Sequence, residues 1–597
     1  MYKYKRKINE IESLRKSTFI LSDKVNTVLC LNSDFSVNKP FNGLYIKNGK
    51  VIISNLFEEF KTKNNEYKIT NIISTNNSYR TDEYISSIDL ENMTIEYDSD
   101  DFFFSKRICL EEKTGIMAVH YIIHNKSEYD ATFKVCPAIT YRKIYNMKNI
   151  SMLKFNQRNK ECGVVINLSV TNKEDVVLKS NNFSWNKDVS SLNNITYNVR
   201  EENEKSKVYI EDLLIPGYFD IEIKKDETIT SVIYITDKDI DITKLSTEVI
   251  SKKDFFLKEK IQNSIEKEYI ELKELSYGLD KVMLENLIVT SLPYEKGLTI
   301  NLRNLYETID SLIEITKAIE GQFLSFGKVK EATKRVFQIK RYIDYIDNVE
   351  IKEFNIKYKY VILKLWIVES TNRIIQKEDL FNIFFDYTEK LIKDVLNAEL
   401  YKEYVKNIEF VALLFNALKI YEDMLNKKGI KEKVVFVTLE ELKLKIERKF
   451  WNEEKRVMKK NLDEEETYAN IDMIYTISLS YPCIVDGIQF KLLDSVFKEL
   501  YTPYGLREYS KNSSKNTGLI YPKYMAHFVK ANLRQNGVTY ASRKIAFNLV
   551  KELLLDINKY VNCGVKKVYS EKGIKIDTMP YDLLTNAEIV RLYDMLM

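Results

Sequence analysis

A chain of 597 residues is too long for one ordinary core, so two domains, or one domain with a large helical barrel, are expected; 45% hydrophobic and 30% charged residues exclude an extended disordered chain. The 91 Lys and Arg are interleaved with 87 Asp and Glu, which leaves no basic stripe for a nucleic-acid backbone. Heavy use of Lys, Ile, Asn and Tyr makes individual charge runs solvated faces rather than signals.

Met1 to Lys16 is rich in charge and leads into no long apolar segment, and no later stretch reaches membrane-spanning length, so a cytoplasmic protein without membrane association is expected. Cys30, Cys109, Cys136, Cys162, Cys483 and Cys563 lack short paired spacings, which suggests buried thiols rather than a disulfide framework or a zinc knuckle.

From about Thr18 to Asp237 short segments alternate apolar and polar residues, as in Met117-Ala-Val-His-Tyr-Ile-Ile123 and Ile229-Thr-Ser-Val-Ile-Tyr-Ile235, with turn clusters such as Lys47-Asn-Gly-Lys50 between them. This spacing predicts an N-terminal antiparallel β-sandwich over 1–250. A charged helical linker is expected over 251–278. From Leu279 onward apolar residues recur at three- and four-residue spacing, without the self-similarity of a solenoid, which leaves a helical toroid or bundle over 279–597.

The helical half contains, in order, Ile408-Glu-Phe-Val-Ala-Leu-Leu-Phe-Asn-Ala-Leu418, Lys449-Phe-Trp-Asn452, Leu479-Ser-Tyr-Pro482 and Thr502-Pro-Tyr-Gly-Leu-Arg507. Taken singly, Phe-Trp-Asn is a helix end with an Asn cap and Thr-Pro-Tyr-Gly a tight turn. The β half adds Lys39-Pro-Phe-Asn-Gly-Leu-Tyr45, Lys106-Arg-Ile108, Val119-His-Tyr121 and Pro137-Ala-Ile-Thr-Tyr-Arg142. Together these phrases resemble those of the glycogen debranching enzymes, the amylo-α-1,6-glucosidase family. The resemblance implies a multi-domain β + α chain whose sandwich is followed by an (α/α)6 helical barrel. It also implies α-glucan or glycogen as partner, no cofactor or metal, and Glu409, Tyr504, Arg507 and Tyr521 as substrate-binding residues.

Hydrolysis in such an enzyme requires a carboxylic acid and a carboxylate base, about 6.5–9.5 Å apart in an inverting mechanism. The family's acid lies in D-W-G-R-D-T, and the register set by Gly321 and Gly327 brings Asp310-Ser-Leu-Ile-Glu-Ile315 to that phrase. Asp310 keeps the first aspartate and Glu314 stands for the acid on a longer arm. The family's base, the Glu of S-E-I-F-D-G, falls on Lys567 of Lys566-Lys-Val-Tyr-Ser-Glu571. An ammonium cannot activate water while charged, opposes an oxocarbenium-like transition state, and favours the ionised form of a nearby Glu314. Glu571 and Asp577 are the carboxylates nearest in sequence that could replace the base.

Other substrate phrases have changed as well. R-P-N-Q reads Asn470-Ile-Asp-Met473, H-Q-G-T-V-W-P-W reads Asn516-Thr-Gly-Leu-Ile-Tyr-Pro-Lys523, and Leu584 replaces a tryptophan. His120, His124 and His527 are too few and too separated for a metal triad, and no phosphate-cradling glycine motif is present. The resulting expectation is a catalytically impaired pseudo-glucosidase that binds glucan or a partner in glycogen metabolism. The alternatives are an active amylo-α-1,6-glucosidase using Glu314 with a repositioned carboxylate, and an assembly protein with no sugar ligand.

Overall fold

The structure is a computed structural model of the whole chain. It describes residues 3–5, 18–22, 27–242 and 305–596, less the short stretches 33, 48, 70–71, 74–77, 80–81, 90–91, 112–113, 144–146, 148–153, 169–174, 201–205, 376–377, 558–564 and 572–581. Two compact units emerge, one built from the described residues up to 242 and the other from those after 305. The helical linker expected over 251–278 lies outside the described residues.

The first unit is antiparallel β throughout, as its alternation predicts. Its ten-stranded sheet centres on β1 (Gly43–Lys47), β2 (Lys50–Lys61) and β4 (Ala131–Lys143), and its nine-stranded sheet on β3a (Phe102–Leu110), β3b (Met117–Asn125) and β5 (Thr228–Thr236). In β3a residues 102, 104, 106, 108 and 110 are all buried while their neighbours are half-exposed, the period of two expected of a strand with one core face. The inward residues of both sheets form one core, with Phe104 of one sheet meeting Phe133 of the other at 5.3 Å between ring centroids.

Two ion pairs lie within this apolar interior, and each is closed by further hydrogen bonds. Lys106 meets Glu58 at 2.7 Å, and Tyr121 donates to the same carboxylate at 2.7 Å. Arg142 holds Glu211 through Nε at 2.6 Å and Nη2 at 3.0 Å, and Tyr197 and Thr140 complete the carboxylate's shell. Arg142 also donates to the carbonyl of Pro40 at 2.8 Å, which joins the phrases 39–45 and 137–142 into one structural unit. Both phrases are thereby explained by packing and charge satisfaction.

The second unit is helical: α1 (Leu305–Gln322), α2 (Val329–Ile346), α3 (Phe354–Thr371), α4 (Glu378–Leu396), α5 (Ile408–Lys427), α6 (Lys433–Lys445), α7 (Tyr475–Ser478), α8 (Asp486–Glu499), α9 (Met525–Asn536), α10 (Tyr540–Ile557) and α11 (Leu583–Leu596). Contacts run α1 to α3 to α5 to α7 to α9 to α11 and return to α1, while the even-numbered helices pack on their odd neighbours. The odd helices are correspondingly buried on more than one face, as in Tyr360–Val368 of α3, where every residue is buried. Where α11 returns to α1, a Cβ on Gly321 would lie 1.8 Å from the carbonyl oxygen of Ala587, so glycine is required by the approach of the two helices.

A four-stranded sheet of Tyr501–Thr502, Gly505–Arg507, Leu519–Tyr521 and Tyr569–Ser570 sits beside the helices. Thr-Pro-Tyr-Gly is its first hairpin, closed by the Thr502 hydroxyl on the Gly505 carbonyl at 2.9 Å. Gly505 has φ of 153°, and a Cβ there would strike the Tyr521 backbone at 2.6 Å. The Phe-Trp-Asn phrase ends a π-turn, with Asn452 accepting from the Lys455 amide at 2.8 Å.

Among the described residues no disulfide joins the five cysteines, and Cys563 lies outside the described residues. Cys30 and Cys483 are buried, Cys109 and Cys136 partly so, but Cys162 corrects the expectation of burial: it sits exposed in a hairpin turn. His120 and His124 lie on the outward face of β3b, as their spacing indicates. Among the described residues no helix is long and apolar enough to cross a membrane.

Candidate functional site

Cross-helix pairs show that α1 and α3 run in the same direction. Residues near their N-termini pair with one another, as Asp310 of α1 does with Lys359 of α3, and residues near their C-termini do likewise, as Glu320 does with Arg373. The interior therefore carries two tiers of charge. The candidate catalytic residues all belong to the N-terminal tier.

Glu314 projects from the middle of α1 and meets Lys523 at 3.5 Å. Lys523 sits in the turn Pro522–Tyr524 before α9 and is also within electrostatic reach of Asp582, the residue just before α11. Asp582 in turn lies 3.9 Å from Lys567. Glu314, Lys523, Asp582 and Lys567 thus form a ladder of alternating charge. Burial works against the Lys523 ammonium, but Glu314 and Asp582 outweigh it and hold its pKa above the usual lysine value. The Asp582 Oδ2 accepts from both the amide and the hydroxyl of Thr585, at 3.0 and 2.6 Å, so Asp582 is also the cap of α11.

A second group adjoins the first. Lys317, one turn beyond Glu314, lies 3.8 Å from Glu409 in the first turn of α5, and its ammonium sits 4.5 Å from the Trp366 ring and 5.3 Å from Tyr475. Asp472 pairs with Lys460 at 3.2 Å. Burial raises the Glu409 pKa, with Lys317 opposing and the Asp472 charge assisting; burial likewise lowers that of Lys317. These two groups share a desolvated, almost neutral patch of alternating charge.

The remaining residues named from the sequence fall on the small sheet. Tyr504 stacks on Tyr569 at 5.0 Å, Tyr521 is half-buried on its third strand, and Arg507 is bound to Glu571. That pairing engages Glu571, while Asp577 lies outside the described residues. Asp310 is turned toward Lys359 rather than toward Glu314's ladder.

Lys317, Trp366, Lys460, Asp472 and Asp582 were not singled out by sequence reasoning. The available signal was Lys317 three residues after Glu314, an interval that puts both on one helical face. No such signal exists for Asp582 or Lys460. Among the described residues no group of three or more His, Cys, Asp or Glu could hold a metal ion.

The C-terminal tier contains Glu320, Arg373, Arg591, Glu588, Glu369 and Lys530. Arg591 reaches Glu588 at 3.1 Å and Glu320 at 3.5 Å, and Glu369 accepts from the Ser480 hydroxyl at 2.9 Å. Burial pushes the Glu588 pKa up to about 7 despite Arg591, whereas three nearby cations, led by Arg591, overcome burial and hold Glu320 at about 2. The cavity here measures about 40 Å³, room for water but not for a sugar ring.

The family model for the glycogen debranching enzyme N terminal matches residues 46–230, and that for amylo-alpha-1,6-glucosidase matches residues 403–559, together more than half of the chain. Glu409, Tyr504, Arg507, Tyr521 and Lys523 fall within the second match; Asp310, Glu314 and Lys567 fall outside both. A crystal structure of a bacterial glucoamylase complexed with acarbose superposes with a TM-score of 0.55 at 11% identity, over 94% of this chain and 92% of that one. A putative kojibiose phosphorylase from the human microbiome gives 0.47 at 8% identity, over 99% and 88%. No curated protein matches by sequence. The chain belongs to the glycogen debranching enzyme family, with the family's N-terminal region in its β unit and its amylo-α-1,6-glucosidase region in its helical unit.

Proposed function

We propose that this chain is a catalytically impaired pseudo-glucosidase that binds α-glucan, built as a β-sandwich followed by an (α/α)6 barrel. The closed succession of contacts among the odd helices, with even helices outside them, and the superposition on a glucoamylase support the barrel. Cysteines that form no disulfide among the described residues fit a protein of the reducing cytoplasm.

The observation that carries the functional reading is the ladder from Glu314 to Lys567. Inverting hydrolysis needs an acid that can deliver its proton to the leaving oxygen and a carboxylate that accepts one from water. Here an ammonium held firmly in its charged state, Lys523, lies against Glu314, and a second, Lys567, stands where the base is expected. Neither lysine can act as a base in that form, and both oppose positive charge developing on a sugar ring. In this reading the family's fold is retained while the proton-transfer pair, and some of the aromatic positions such as the one now held by Leu584, are lost.

Electrophoresis through glycogen-containing gels tests the reading together with a glucose assay on a limit dextrin. Retarded mobility with no glucose release is the expected result. Unaltered mobility beside a retarded active relative would overturn the glucan-binding claim.

One observation favours an active α-1,6-glucosidase instead. Asp582 is a carboxylate beside Lys567, and it faces Glu314 across Lys523. In that reading Asp582 would serve as the repositioned base, and Asp582→Asn would abolish glucose release. Its engagement as the α11 cap argues for a structural role.

A further inference from the structure

The ladder occupies the positions expected for the proton-transfer pair, and the helical unit offers a glucan a second surface away from it. A groove of about 240 Å³ lies in the helical unit between the loop 464–470 and the segment 509–515. Its lining includes Glu465, Glu466, Tyr468, Asn470, Tyr509 and Ser513. That volume admits a sugar ring, unlike the 40 Å³ cavity of the C-terminal tier.

The walls of the groove are fixed to one another. Asn470 and Tyr509 form a β-bridge, the Ser510 amide donates to the Ala469 carbonyl at 2.9 Å, and the Ile471 amide donates to the Glu508 carbonyl at 2.8 Å. The Tyr509 ring is held by Lys460 at 5.0 Å and Lys515 at 5.7 Å, and Lys515 is anchored to Glu464 at 2.7 Å. A surface already ordered in this way loses little entropy when a ligand arrives.

The lining chemistry discriminates among ligands. Its three glutamates outnumber its single lysine, Lys515, which disfavours phosphorylated sugars, nucleotides and other anions. The wall has two tyrosines but no aliphatic side chain, which gives a lipid or an apolar peptide nothing to bury against. Carboxylates, an amide and hydroxyls accept from and donate to neutral polyols, and tyrosine rings supply flat faces for sugar C–H groups. Asn470 Oδ1 is buried and has no hydrogen-bond partner among the described residues, a spare acceptor in the wall of the groove.

The groove is also joined to the candidate site. Lys460, which steadies Tyr509, is the partner of Asp472 in the N-terminal tier. We propose that this groove is a glucan-binding subsite in which an internal stretch of neutral α-glucan lies across Tyr468, Tyr509 and the 464–466 carboxylates, rather than threading a chain end into the helix ring. This rests on the glucan-binding reading above and adds to it a place and a mode of binding.

Calorimetric titration of the full chain with maltoheptaose is the test, with Tyr468→Ala and Glu466→Gln as groove variants and Phe490→Ala, on the exposed face of α8, as control. Each groove variant is expected to weaken binding about tenfold, equivalent to about 1.4 kcal/mol, and the control to leave it unchanged. Binding should be the same in low and high salt, since the ligand carries no charge. Wild-type binding that both groove variants retain in full would overturn the groove while leaving glucan binding intact. Absence of binding by the wild type would overturn both.

Discussion

The most deeply buried charge clusters of the two units differ in how far they are satisfied. In the β unit, Glu58 with Lys106 and Glu211 with Arg142 are closed networks whose carboxylates are saturated by tyrosine and threonine hydroxyls. In the helical unit, Arg591 Nε and Nη2, Glu588 Oε2 and Trp366 Nε1 are buried without hydrogen-bond partners among the described residues. A saturated network has a single low-energy arrangement and therefore specifies a fold. An unsaturated one costs stability, because each buried polar atom has given up its water without gaining a partner. The contrast teaches that the core charges of the β unit contribute to its stability, whereas those inside the helical unit sit in an environment that works against it.

That contrast can be broken most forcefully at Gly321. Gly321→Val must push α1 and α11 apart, and a loss of more than about 4 kcal/mol, or failure of the helical unit to fold, is expected in urea denaturation. Next comes Glu211→Gln, which leaves the Arg142 guanidinium buried beside a neutral amide. It should cost about 3–5 kcal/mol, and a loss below about 1 kcal/mol would mean that the β unit's networks are not structural.

The interior of the ring should respond the other way. Burial raises the Glu588 pKa to about 7 in the folded protein, against the ordinary glutamate value of 4.5, so between these values the folded state binds more protons than the unfolded state. Stability contributed by this residue is then greatest below about pH 4.5 and falls as pH rises through 7, by up to about 3 kcal/mol. Glu588→Gln should remove that dependence and raise stability at pH 8 relative to wild type. A variant that is less stable than wild type at pH 8 would place Glu588 among the structural charges. The smallest effect is expected at Lys567→Ala, within about 0.5 kcal/mol, because its pair with Asp582 is long and partly exposed.

The parts of this account legible in the sequence are the local ones. Strand alternation in 102–110, the apolar run of α5 and the turn chemistry of Thr502-Pro-Tyr-Gly505 each declare themselves within a dozen residues. The ladder does not, since Glu314 and Lys523 are 209 residues apart and nothing in either neighbourhood names the other. Lys523 was visible only as a lysine replacing tryptophan, and its meaning emerged from the return of α9 and α11 to α1. Arg142 was visible as part of a phrase, but its bond to Pro40 shows that the phrase serves the β core rather than a ligand.

Glucose release from a glycogen limit dextrin, followed over many hours with purified full-length protein, bears most directly on the claim that the proton-transfer pair is lost. The ladder predicts no glucose above that of heat-denatured protein, and no change with Glu314→Gln. Steady release that Glu314→Gln or Asp582→Asn abolishes would contradict it and make this chain a working glucosidase.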